Sequence, residues 1–238
     1  MSTLALVVAA LIASLIDNCA AQLKPGCTFD ALRACGDDFL PYSKETQLPS
    51  SGQSFEKSCA NQLQQLDCSI KFVNDCMEGL LKASSTVFMN GFKKNVEGVC
   101  SVGTKEHENY VKAVGCMNSV GTALNSCWRT FRNSLRKALS KAPFKDIVNY
   151  GCCACHDLES CVEQTLTPCE STGGKDVLIG MLRRAFVEPI NLTCKEYSKG
   201  SEACKSLPKL PALGAHDLKD GGYIELLAQA AGTANHRN

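Results

Sequence analysis

A chain of 238 residues with 45% apolar residues and a net charge of +1 can bury a core, but it lacks the basic excess that nucleic-acid binding needs. Its 16 cysteines point instead to a disulfide framework, and its length allows one domain or two small ones.

The first segment, MSTLALVVAALIASLIDNCAAQLK, carries an uninterrupted run of apolar and small residues from Leu4 to Ile16. That is the length of a signal-peptide core, and Asp17 ends it short of the roughly 20 apolar residues of a spanning helix. Cys19, Ala20 and Ala21 suit cleavage after Ala21, giving a leader over 1–21 and a mature chain from Gln22. No later stretch is long and apolar enough to span a membrane. The expected protein is therefore secreted and extracellular, where cysteines form disulfides by default. Cys19 leaves with the leader, and the 15 cysteines that remain are an odd number. One thiol is then free, or makes a covalent dimer. Asn191-Leu192-Thr193 is the one N-glycosylation sequon, so Asn191 is the expected glycan site.

Cysteine spacing is the strongest pattern. Cys27, Cys35, Cys59, Cys68, Cys76 and Cys100 follow at steps of 8, 24, 9, 8 and 24. Cys116, Cys127, Cys152, Cys161, Cys169 and Cys194 follow at 11, 25, 9, 8 and 25. The agreement predicts two tandem copies of one cysteine-rich unit, over 22–106 and 107–205, followed by a Pro/Gly-rich tail over 206–238.

Each unit reads as helical. Phe55, Cys59, Leu63, Leu66, Ile70, Val73, Met77 and Leu80 recur at helical spacing after a start at Ser50 to Ser54. Tyr110, Val114, Met117, Val120, Leu124, Trp128, Phe131, Leu135 and Leu139 predict one long helix ending before Pro143. A shorter pattern from Val177 to Phe186 follows Gly173-Gly174 and stops at Pro189. Alternation of Val, Ile and Thr is missing, so the fold class is all-α: a disulfide-stapled helical bundle. In the tail, a short helical patch from Tyr223 to Ala231 follows an extended stretch.

Helix geometry restricts the bridges. Cys59 and Cys68 on one helix lie about 13 Å apart, beyond the about 7 Å a disulfide spans. Cys59, Cys68 and Cys76 must therefore each reach Cys27, Cys35 or Cys100, which leaves six arrangements. A turn near residue 84 would set Cys100 opposite Cys68, and one near residue 48 would bring Cys35 to Cys59. Cys27 with Cys76 follows by elimination. The duplication then predicts Cys127–Cys152, Cys161–Cys194 and Cys116–Cys169. Cys153, Cys155 and Cys204 have no counterpart, so Cys204 is expected to join Cys153 or Cys155 and leave the odd thiol in this set.

The densest chemistry is GCCACHDLESC (151–161). Its C-x-x-C-H spacing matches c-type haem attachment, but the duplication assigns Cys152 to a bridge. Four zinc ligands packed into five residues rarely close a tetrahedral site, so no metal or cofactor is expected. Cys152-Cys153-Ala154-Cys155-His156-Asp157 also resembles the C-C-x-x-H-D helix of secreted phospholipases A2. That resemblance implies His156 as general base and Asp157 as a calcium ligand in a phospholipid hydrolase. Glu159 stands where that family has its next cysteine, and SKAPFKDIVNYG (140–151) lacks the family's glycine-rich calcium loop. The preferred reading makes His156 a surface or half-buried residue beside structural disulfides, in a protein that is not an enzyme.

A basic run spans Arg129, Arg132, Arg136, Lys137, Lys141 and Lys145 without an acid. Such a helix suits an anionic membrane or glycan in a defence or effector protein, or forms the solvated face of a packed helix. The leader, CTFDALRACGDDFLPYSKETQLP (27–49), the C-x8-C-x7-C helix and GCCACHDLESCV together resemble the cysteine-rich helical secreted proteins of arthropods, of the haemolymph-glycoprotein type. The resemblance implies an extracellular protein without established catalysis. The expected function is thus binding, of a hydrophobic small molecule or an extracellular protein or glycan.

Overall fold

The computed structural model describes residues 23–187, 194–214, 217 and 221–233. The expected leader and the expected glycan site Asn191 lie outside those residues. Among the described residues there are nine helices and no strand, and no helix is long and apolar enough to cross a membrane.

A short helix, α1 (Phe29–Ala34), starts on Thr28, whose hydroxyl accepts the Ala31 amide. The long α2 (Gly52–Cys76) buries Phe55, Leu66 and Val73 of the face its apolar spacing predicts, together with Phe72, which that spacing does not include. It ends earlier than the pattern through Leu80 suggests. Met77 and Glu78 are extended and Gly79 has φ +56°, so the chain reverses there and not near residue 84. The next helix, α3 (Gly79–Cys100), runs back along α2.

The single helix expected from Tyr110 to Leu139 is two, α4 (Lys105–Ser119) and α5 (Gly121–Lys141), broken at Val120. The non-helical stretch 35–50 passes over this break. A Cβ on Gly121 would lie 1.9 Å from the Thr46 carbonyl oxygen, so only glycine admits the crossing. Asn118 fastens the same stretch: its Oδ1 accepts from the Tyr42 hydroxyl and the Leu48 amide, each at 2.9 Å, and its Nδ2 donates to the Leu48 carbonyl. Phe39, Leu40 and Tyr42 are thereby carried into the core without a helix of their own.

Helix α6 (Ile147–Thr165) holds GCCACHDLESC and packs along α5. A 3₁₀ turn at Thr167–Cys169 contains Pro168, and α7 (Gly174–Leu182) continues into a π-helical turn at Arg183–Val187. That turn lies against α3, where Gly91 leaves room for the Arg184 carbonyl. A one-turn α8 (Glu202–Ser206) follows, then α9 (Tyr223–Gly232). The tail patch is a core element: Tyr223, Ile224 and Leu226 are buried, and α9 meets α1, α3, α5 and α6.

Seven disulfides link Cα atoms 5.5 to 5.8 Å apart, within the range that needs no backbone movement. Cys27–Cys76 and Cys116–Cys169 are as expected. The other four expected pairs are corrected. Cys35 joins Cys68 and Cys59 joins Cys100, while Cys127 joins Cys161 and Cys152 joins Cys194. The earlier reversal at Met77–Glu78 slides α3 along α2, which brings Cys100 beside Cys59 and frees Cys68 for Cys35. The seventh bridge, Cys153–Cys204, leaves Cys155 as the free thiol among the described residues.

Candidate functional site

Residues 152, 155, 159 and 162 recur on α6 at steps of three and four, so one stripe of that helix enters the core. Cys152 and Cys153 leave it as bridges to Cys194 and Cys204. The cysteines of GCCACHDLESC are therefore staples, with one exception.

That exception, Cys155, is buried, and its desolvated surroundings push the thiol up to about 12. At pH 8 it should resist iodoacetamide in the folded protein and take up one equivalent after denaturation. One equivalent incorporated without denaturant would overturn its placement. With Cys153 bridged and Cys155 enclosed, neither presents a surface thiol for a covalent dimer.

His156 is not at the surface or half-buried, as expected, but 6% exposed. Helical periodicity explains the difference: it shares the inward half of α6 with Cys152, Cys155 and Glu159. Neither ring nitrogen has a hydrogen-bond partner, and the nearest carboxylate, Glu159 Oε2, lies 3.8 Å from Nδ1. The other oxygen of Glu159 accepts from Arg183 Nε at 2.6 Å. Asp157, one residue on, is exposed, so the histidine and the aspartate do not share a cleft. Among the described residues no group of three or more His, Cys, Asp or Glu side chains is placed to hold a metal ion.

The basic run, on α5 as far as Lys141 with Lys145 in the turn beyond it, does not form one open face. Arg132 lies over the Tyr223 ring of α9, 5.7 Å from its centroid. Lys141 pairs with Asp217 at 2.6 Å. Arg129 and Lys145 are exposed. The arrival of α9, read in the sequence as part of a tail, is what divides the patch.

Two cavities stand out by composition. The first, about 140 Å³ and open on one side, is lined mainly by Met77, Phe88, Met89, Leu135, Phe186 and Ile224. Ser84 and Ser85 at one side supply polar atoms, and Cys155 forms part of the wall. Its lining comes from α1, α3, α5, α6, α9 and the π turn, so no single helix announces it. The second, about 210 Å³, is polar and lies at the start of α9, lined by Arg33, Asp37, Lys44, Arg132, Tyr223 and Glu225 among others. Its acids are engaged: Asp37 accepts the Tyr223 amide and pairs with Lys44, and Glu225 accepts the Gly222 amide and pairs with Arg33. Burial raises the Glu225 carboxyl above its ordinary range, against the pull of Arg33. His156 lines neither cavity. Comparison with protein families, with curated proteins and with solved structures returns no match, so the site is read from its own geometry.

Proposed function

We propose that this is a secreted, non-catalytic binding protein that holds a hydrophobic small molecule in the apolar cavity between α3, α5, α6 and α9. The observation that carries this reading is the cavity itself. An apolar pocket between helices takes up the hydrocarbon part of a small ligand, and this one, open on one side so that a longer chain can extend from it, has about 140 Å³. Aromatic and sulfur-containing walls suit such a ligand: Phe88 and Phe186 pack edge to face at 4.9 Å, and Met77 and Met89 add adaptable surface. Seven disulfides accord with an extracellular setting and with a frame rigid enough to keep a void open.

The frame itself we read as a tandem duplication. Numbering six cysteines in each half from first to last, both halves join first to fifth, second to fourth and third to sixth. Six cysteines admit 15 pairings, so a shared one supports common descent of the halves. The second half adds Cys153–Cys204 and the π turn.

Calorimetric titration with 1-decanol tests the binding reading. Saturable one-to-one binding with a negative heat-capacity change is expected, since apolar burial has that signature. Ala228→Phe, which fills the cavity from α9, should weaken it on the order of tenfold or more. Failure of decanol to saturate, or equal binding by the filled variant, would overturn the reading.

A further inference from the structure

The apolar and polar cavities share two lining residues, Leu32 and Ile224, so one layer of side chains separates them. Their chemistry differs in a directed way. On one side are hydrocarbon walls. On the other are three cations, of which Arg33 is paired with Asp30 and Glu225, and Lys44 with Asp37 and Asp38. Arg132 has neither a carboxylate nor a hydrogen-bond partner among the described residues, and its buried Nε is unsatisfied. A guanidinium held over a tyrosine ring, with a buried Nε that no hydrogen bond engages, is set to take a carboxylate.

Resting on the binding reading above, we infer that the two cavities are the tail and head compartments of one site, and that its ligand is an anionic amphiphile, a monocarboxylate with a hydrocarbon chain. The chain occupies the space bounded by Phe88, Met89 and Phe186, and the carboxylate accepts hydrogen bonds from Arg132. Leu32, on the six-residue α1, is the side chain that turns aside to join the compartments. Neither cavity alone reaches the roughly 300 Å³ of an ordinary small-molecule site, and the two together do. The carboxylates of Asp37 and Glu225 do not repel such a head group strongly, because each already has a cation and a backbone amide of its own.

The test compares decanoate with 1-decanol at pH 7.5 on wild type, Arg132→Gln and Arg132→Lys, with melting temperatures recorded to show that the variants fold. Wild type should favour decanoate by about tenfold to a hundredfold, the worth of a charge-assisted hydrogen bond to a carboxylate. Arg132→Gln should erase that preference and leave decanol binding unchanged, and Arg132→Lys should keep part of it. Equal affinities for the two ligands in wild type would overturn this inference while leaving the cavity as a neutral binding site. A preference that survives in Arg132→Gln would overturn the role of Arg132. If neither ligand binds, the binding reading fails and takes this inference with it.

Discussion

Trp128→Ala should lower the unfolding free energy by about 3–5 kcal/mol, the usual cost of removing a large aromatic side chain from a packed core. Trp128 is the only tryptophan of the chain and is fully enclosed. It touches Phe131 on its own helix, Phe186 of the π turn and Tyr223 of α9, at centroid separations of 6.0, 5.9 and 5.3 Å. Phe186 in turn meets Phe88 and Phe92 of α3. Trp128 thus ties α5 to the π turn and the last helix, and through Phe186 reaches α3, so its loss leaves a void that rigid, bridged neighbours cannot close. Urea unfolding followed by circular dichroism measures the effect, since the variant lacks tryptophan fluorescence. The indole nitrogen has no hydrogen-bond partner. Trp128→Phe, which removes that unsatisfied donor along with less volume, should cost clearly less than Trp128→Ala. Equal losses for the two, or a loss below about 1 kcal/mol for alanine, would place Trp128 outside the core.

The second large effect concerns the bridges. Replacing Cys59 and Cys100 together by serine should cost about 4 kcal/mol, from the chain entropy of a closed loop of 41 residues. The same variant discriminates between connectivities. With Cys35 joined to Cys68, the double replacement leaves Cys155 as the one free thiol from residue 27 onward. With the pairs Cys35–Cys59 and Cys68–Cys100, it would orphan both Cys35 and Cys68. Thiol counting under denaturing, non-reducing conditions, followed by peptide mapping, therefore reads stability and topology from one molecule. Three reactive thiols, or a Cys35 that bridges elsewhere, would refute the pairing.

These bridges show what the sequence discloses and what it withholds. Periodicity located the buried faces, because Leu66, Val73, Tyr110, Leu124 and Phe131 have to point inward wherever their helix goes. It did not locate the reversals. Leu80 continues the apolar rhythm of α2, yet the chain turns before it, at an extended pair and a glycine with positive φ. In an antiparallel pair of helices, moving the turn by a few residues moves every facing partner by twice as many, and two bridges are exchanged. The break at Val120 depends on a carbonyl from residue 46, a contact more than 70 positions away that no local pattern contains.

The candidate site was less legible for the same reason. GCCACHDLESC drew attention through its density of reactive side chains, whereas the cavity is made of Met, Phe, Leu and Ala residues from six segments that look like ordinary core. One signal was within reach. The patch Tyr223 to Ala231 is too apolar for an exposed tail, and a buried helix there would have supplied a wall, covered Arg132 and divided the basic run. His156 was misplaced because its neighbours were read as linear staples instead of as two adjoining stripes on α6.

The bridges also sort the molecule in another way. None of the seven joins a residue up to Cys100 to one from Cys116 onward. The turn between those positions contains Val102, the most exposed large apolar side chain described, and Gly103. A protease that cuts there severs the only covalent connection between the two groups of bridges, whereas a cut inside either group's loops leaves the fragments tied. Cohesion of the nicked protein would then fall to packing and hydrogen bonds, among them Phe186 against Phe88 and Phe92, Asn118 on the 35–50 stretch, and α9. The two groups of bridges share only the peptide chain, and packing makes them one body.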